Sequence, residues 1–245
     1  MPQGSIRTIE AYLDFTGGHG DVTWGTGEVD LGNGVGMVSV NEGTLNQVVD
    51  ETGGVLQFLT DTADNDNVAI YAGPFALNKG SIVVEARFKI ADAVTAGAVY
   101  CGLSETLALD TPVMPMEFAT ATMTYNGSGG MVGAIWDPDA TTNVWKAGCG
   151  DGGAVSGSAV WGANGTDSGL SSAMVNDEFD VIRVECGSSG IASVYHDEEL
   201  IASGQTDLTV TDVFYVVLMC ENRSAAAEEF EVDYFYAKGN RDWAV

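Results

Sequence analysis

Glu229, Glu231 and Asp233 alternate along one short run of this 245-residue chain, and their spacing comes nearest to a reactive centre. Alternate residues of a strand share a face. Hydrolysis of a glycosidic bond needs two carboxyl groups about 5 Å apart for retention and farther apart for inversion. The same spacing also suits charge pairing, because Arg87 and Lys89 alternate onto one face of their own run and can meet acids on a neighbouring strand. Pairing is the expected role. A second cluster, Asp61-Thr62-Ala63-Asp64-Asn65-Asp66-Asn67, gathers the oxygen ligands that Ca²⁺ takes. It lacks the Gly and Glu spacing of an EF-hand loop, and Asp and Asn are ordinary turn formers, so Asp61, Asp64 and Asp66 are expected in a solvated turn with no metal or other cofactor assigned.

Nucleophilic catalysis would need one of two imidazoles. His19 lies in the Gly-rich stretch TGGHGD, and His196 is expected in a hairpin turn, so neither is well placed for a Ser-His-Asp or Cys-His arrangement. Cys101, Cys149, Cys186 and Cys220 stand far apart with no CxxC pair, which removes the usual zinc and thioredoxin spacings. The expected state is four buried thiols, with Cys149 in KAGCGDGG the most exposed of them. An oxidising compartment would instead allow any of three disulfide pairings. Trp136, Trp145 and Trp161 lie in or beside loops, where a ring could stack on a sugar or pack inward; inward packing is the commoner fate. No residue is assigned a catalytic role, and the chain is expected not to be an enzyme.

Nine basic against 35 acidic residues give 9 − 35 = −26. A phosphate backbone is bound by clustered Lys and Arg, so nucleic acid is not an expected partner, and an anionic membrane is excluded on the same ground. The first 15 residues hold a lone Arg7 and no apolar stretch, and no run approaches 18 apolar residues; neither export by a signal peptide nor a membrane span is expected.

The elements that would position these residues are strands. Thirty-two Gly residues cluster between runs rich in Val, Ile, Tyr and Phe, which is turn punctuation. In SIVVEARFKI, Ile82, Val84, Ala86, Phe88 and Ile90 fall on one face and Val83, Glu85, Arg87 and Lys89 on the other. DEFDVIRVEC places Ile182, Val184 and Cys186 opposite Val181, Arg183 and Glu185. IASVYHDEELIASG reads as a hairpin turning at His196-Asp197-Glu198. DVFYVVLMC is apolar on both faces, as a central strand covered on both sides would be. EFEVDYFYAKG is expected to set Phe230, Val232, Tyr234 and Tyr236 against Glu229, Glu231, Asp233 and Phe235. TLNQVVDETGG is the best short helical candidate. Ten to fourteen antiparallel strands in two packed sheets are expected, with residues 1–54 as an N-terminal arm and first strands and 55–245 as a β-sandwich, the two forming one unit.

The order DEFDVIRVEC, then IASVYHDEELIASG, then FEVDYFYAKG resembles the late strands of the concanavalin A-like lectin/glucanase jelly rolls, which include laminin-G-like modules and family 16 glycosidases. The resemblance spans roughly residues 55–238 and implies an all-β, two-sheet antiparallel jelly-roll sandwich. His196-Asp197-Glu198-Glu199 stands where such hairpins usually carry Gly. The E-x-D-x-x-E strand of family 16 enzymes is not matched by Glu229-Phe230-Glu231-Val232-Asp233, which sits on the last strand with a different third spacing. In general style the chain is similar to head decoration proteins of tailed phages. That likeness implies a virion structural role on the capsid surface, with the major capsid protein, other virion subunits or further copies of the chain as partners, in a protein made in the host cytoplasm. The fold implies the alternative, a carbohydrate-binding module taking a glycan, and more remotely a glycoside hydrolase.

Overall fold

Period-two alternation builds two sheets. The computed structural model describes residues 8–15, 22–24, 27–39, 43–48, 54–108, 112–120, 122–126, 129–151 and 172–240. Its first strands are β1 (Thr8–Leu13), β2 (Val22–Trp24), β3 (Gly27–Gly32), β4 (Val35–Ser39), β5 (Gly43–Gln47) and β6 (Leu56–Leu59). Next come β7 (Asn67–Ala76), β8 (Ile82–Ile90), β9 (Gly97–Ser104), β10 (Met116–Ala119), β11 (Thr122–Tyr125) and β12 (Gly130–Trp136). The last are β13 (Lys146–Asp151), β14 (Asp180–Cys186), β15 (Ile191–His196), β16 (Glu199–Gln205), β17 (Val213–Asn222) and β18 (Glu229–Asn240). The described residues thus hold eighteen strands, more than the expected ten to fourteen, because β2, β5, β10 and β11 are too short to show a periodic signal.

A nine-stranded sheet runs β16-β15-β14-β8-β18-β6-β5-β2, with β1 also paired to β18. A seven-stranded sheet runs β13-β12-β9-β17-β7-β4-β3, and β10 and β11 form a separate hairpin. The strand pairs are antiparallel throughout. The expected helical turn at TLNQVVDETGG is overturned. Residues 43–47 are β5, held between β2 and β6 with Leu45 opposite Phe58, so sheet pairing overrides a weak helical preference.

The two sheets bury one core between them. Ile82, Val84, Ala86, Phe88 and Ile90 of β8 face it as expected, joined by Ile182, Val184 and Cys186 of β14. Val99, Cys101 and Leu103 of β9 and Val216, Leu218 and Cys220 of β17 approach from the other sheet. Each fully buried side chain of this size stabilises the fold by roughly 1.5–3 kcal/mol. All four cysteines are buried. The expectation for Cys149 is corrected: KAGCGDGG is mostly strand β13, and Cys149 sits opposite Val132 in the core. Trp136 and Trp145 are likewise in the core, with ring centroids 6.4 Å apart.

Strand β18 breaks its own alternation. Val232 pairs with Phe88 but Tyr234 pairs with Arg87, so Asp233 is an extra residue, a β-bulge. One inserted residue moves every later side chain to the opposite face. Phe230 and Val232 point inward before the bulge, and Phe235 and Ala237 after it. The expected grouping of Tyr234 and Tyr236 with Phe230, and of Phe235 with the acids, is therefore corrected. The two tyrosines lie on the outer face, part-exposed.

Strand β17 is central and apolar on both faces, as expected. Its outward Val217 and Met219 join Tyr100, Met131 and Ile135 in a second cluster, covered by Met116 and Phe118 of β10 and Met123 and Tyr125 of β11. Glycine makes room for this cover: a Cβ at Gly133 would lie 2.7 Å from the Tyr100 ring and one at Gly148 2.8 Å from the Met123 sulfur.

Candidate functional site

Correcting the β18 register exposes a site that alternation hides. A groove of about 740 Å³ lies on the outer face of the nine-stranded sheet, lined by Glu85, Val181, Arg183, Glu185, Tyr195, Asp197, Glu198 and Tyr234. Glu85 comes from β8, Arg183 and Glu185 from β14, Tyr195 from β15 and Tyr234 from β18. The Tyr234 hydroxyl donates to Glu85 Oε1 at 2.8 Å. Arg183 Nη1 lies 3.4 Å from Glu85 Oε2, and the Arg183 guanidinium also pairs with Glu185. Burial, then the hydrogen bond and charge of Glu85, push the Tyr234 phenol far above its ordinary range, so it stays a donor. Tyr12 of β1 lies beside it, with ring centroids 6.1 Å apart, and is half exposed. The surface offers ring faces for stacking and fixed acceptors and donors for hydroxyl groups.

Asp197 and Glu198 close one end of the groove as the two-residue turn between β15 and β16, with φ of 48° and 68°. Positive φ at both positions is the hairpin geometry that favours Gly and Asn. The placement of His196 in this turn is corrected: it is the last residue of β15, opposite Ile182, and its side chain is 4% exposed on the inward side. Its Nε2 lies 3.0 Å from Asp180 Oδ1 and 3.4 Å from Asp197 Oδ2. Among the described residues these three alone bring nitrogen and carboxylate oxygens together at ligand spacing. Sequence reasoning missed the trio because Asp180 and His196 are 16 residues apart and meet only across the β14–β15 pair.

Two of the three acids of β18, Glu231 and Asp233, are paired as the spacing suggested, whereas Glu229 bonds to Gln57 and meets no cation among the described residues. Lys89 Nζ lies 3.0 Å from Glu231 and 2.5 Å from Asp177, and Arg87 pairs with Asp233. Burial works against the Lys89 charge, and its bonds to Asp177 and Glu231 outweigh it and raise its pKa. Asp61, Asp64 and Asp66 do not converge. Asp64 is exposed and Asp61 part-exposed, but the solvated-turn expectation is corrected for Asp66, which is buried with Oδ2 accepting from Ala63 N, while Asn222 Nδ2 donates to the Asp61 and Ala63 carbonyls. His19, Trp161 and most of the Gly-rich stretch from 141 to 172 lie outside the described residues.

A buried charged knot ties the β10–β11 hairpin to the seven-stranded sheet. Asp137 accepts from Phe118 N at 2.8 Å and from Arg223 Nη2 at 3.0 Å, and Arg223 Nη1 donates to Glu221 at 2.6 Å. Asn67 Nδ2 bridges Glu221 and the Pro112 carbonyl. Burial raises the Glu221 carboxyl to about 7 even though Arg223 opposes the shift.

No family model matches the chain. No curated protein matches it either. Solved structures do. A protein of unknown function from Shewanella oneidensis MR-1 aligns at TM-score 0.56 and 13% identity over 98% of this chain and 89% of its own. The carbohydrate recognition domain of Emp47p aligns at 0.53 and 12% over 97% and 96%. The fold is a concanavalin A-like sandwich. A 1,3-α-1,4-β-D-galactose-4-sulfate-3,6-anhydro-D-galactose 4 galactohydrolase aligns at 0.52 and 10% over 98% of both chains. The concanavalin A-like likeness extends to a lectin domain and a glycan hydrolase alike, and at these identities it is a likeness of fold.

Proposed function

We propose that this concanavalin A-like chain binds carbohydrate through the outer groove of its nine-stranded sheet and does not cleave it. The bulge at Asp233 carries this reading, because it delivers Tyr234 to the sheet face that Tyr195, Glu85 and Arg183 occupy. An aromatic ring beside fixed carboxylates and a guanidinium suits a pyranose, whose C–H face stacks while its hydroxyls bridge charged groups. Glu85 and Glu185 share the Arg183 guanidinium, so the two acids are fixed side by side in ion pairs. Four acids against one arginine favour a neutral or amino sugar and disfavour the sulfated galactan named for the galactohydrolase. The sugar-related names of two similar structures support this reading over the virion-surface role implied by the likeness to phage head decoration proteins.

A glycan array probed with the purified chain is the test. Binding to neutral glycans, lowered at least tenfold by Tyr234→Ala and by Arg183→Ala, is expected. An array without signal, or one whose signal survives both substitutions, overturns the proposal, as does release of shorter sugars from a bound glycan.

A further inference from the structure

We propose that Asp180, His196 and Asp197 bind one transition-metal dication of the zinc class at the β14–β15 end of the sandwich. Zinc bonds of about 2.0–2.2 Å put tetrahedral donors about 3.3–3.6 Å apart. His196 Nε2 lies 3.0 Å from one carboxylate oxygen and 3.4 Å from the other, within a few tenths of an ångström of that spacing, and all three ligand atoms lie within 4.8 Å of one another.

A proton accounts for this arrangement less well. One ring nitrogen carries at most one hydrogen, and Nε2 makes its hydrogen bond with Asp180; Asp197 Oδ2, 3.4 Å from the same nitrogen, shares no hydrogen bond with it. Among the described residues neither Asp180 nor Asp197 meets a Lys or Arg; His196 is the only basic group either one approaches. A buried carboxylate beside a second one needs positive charge between them. A dication satisfies both oxygens at once.

The outer contacts of the carboxylates are those of oriented ligands. Trp145 Nε1 donates to Asp180 Oδ2 at 3.2 Å, and Val181 N donates to Asp197 Oδ1 at 2.9 Å. Each leaves the opposite oxygen facing His196, the way outer hydrogen bonds fix metal-binding carboxylates. Asp197 is 53% exposed, which gives an ion a path in and leaves a coordination position for water. One imidazole with two carboxylates selects zinc or manganese; calcium takes six to eight oxygens. The site adjoins the sugar groove through Asp197, but its assignment does not rest on sugar binding.

Calorimetry of the metal-stripped full chain with Zn²⁺ tests the site, with circular dichroism confirming that each variant is folded. The expected result is one equivalent bound at micromolar affinity or tighter. His196→Gln and Asp197→Asn each weaken it at least tenfold, and His19→Gln, at the other histidine, leaves it unchanged. Asp197 lies in an exposed turn, so Asp197→Asn decides the matter even if His196→Gln unfolds the chain. Absence of saturable Zn²⁺ binding, wild-type affinity in Asp197→Asn, or saturation by Ca²⁺ but not Zn²⁺ overturns the proposal.

Discussion

Glu221→Gln should flatten the dependence of stability on pH. In the native chain Glu221 and Asp137 share one guanidinium, that of Arg223, while Glu117 adds further negative charge nearby. Burial, aided by the charges of Glu117 and Asp137 and opposed by Arg223, raises the Glu221 carboxyl from 4.5 to about 7, so the native state holds its proton more tightly than the unfolded chain does. A carboxyl raised on folding stabilises the native state while it stays protonated there and ionises in the unfolded chain. That contribution grows as pH falls from about 7 toward 4.5 and vanishes as pH rises through 7. Raising the carboxyl from 4.5 to about 7 has a ceiling of about 3 kcal/mol, of which about 2–3 kcal/mol falls between pH 5 and 8. Urea unfolding of the wild type at pH 5 and 8 should show greater stability at pH 5. Glu228 and Glu229 are also raised by burial and act in the same direction, so some slope persists in the variant. Equal slopes for wild type and Glu221→Gln would refute the reasoning, as would a wild type more stable at pH 8.

The thiols and the net charge give two simpler expectations. A thiol reagent at pH 8 should label none of the four cysteines in the native chain and all four in denaturant, because all are buried and burial raises the Cys186 thiol to about 12 and Cys101 and Cys220 further; rapid native labelling would contradict the core placement. The melting temperature should rise between low and moderate salt as screening relaxes the repulsion of a −26 chain, and a fall would contradict it.

Strands with clean alternation were legible in the sequence. Residues 82–90 and 180–186 carry an uninterrupted period of two, and their inward sets lie in the core as read, although Val83 and Lys89 on the outer face of the first strand are buried as well. The central position of β17 was legible for the same reason, since apolar residues on both faces demand cover on both sides. The identity of that cover was not, because β10 and β11 are four residues each and their methionines carry no periodic signal. The groove was illegible for a sharper reason. The run Glu229-Phe230-Glu231-Val232-Asp233-Tyr234-Phe235-Tyr236 reads as unbroken alternation, and only pairing with β8 shows that Asp233 is the extra residue. His196 was misplaced by a single position, enough to turn a core-facing donor into an apparent turn residue. Glu221 and Arg223 come together with Asp137 only through tertiary packing, some 85 residues apart in the chain.

The strands at the heart of each sheet come from late in the sequence. β17 joins β7 to β9 in the middle of one sheet, and β18 bridges β8 to β6 and β1 in the other, each partnering residues made about 110 to 230 positions earlier. On a ribosome, therefore, most of the polypeptide must emerge with its sheets unclosed, apolar edges awaiting a keystone still to be translated. Closure is a late event that spans great separations along the chain, the kind of topology that folds slowly and leaves a newly made molecule dependent on shelter from its neighbours.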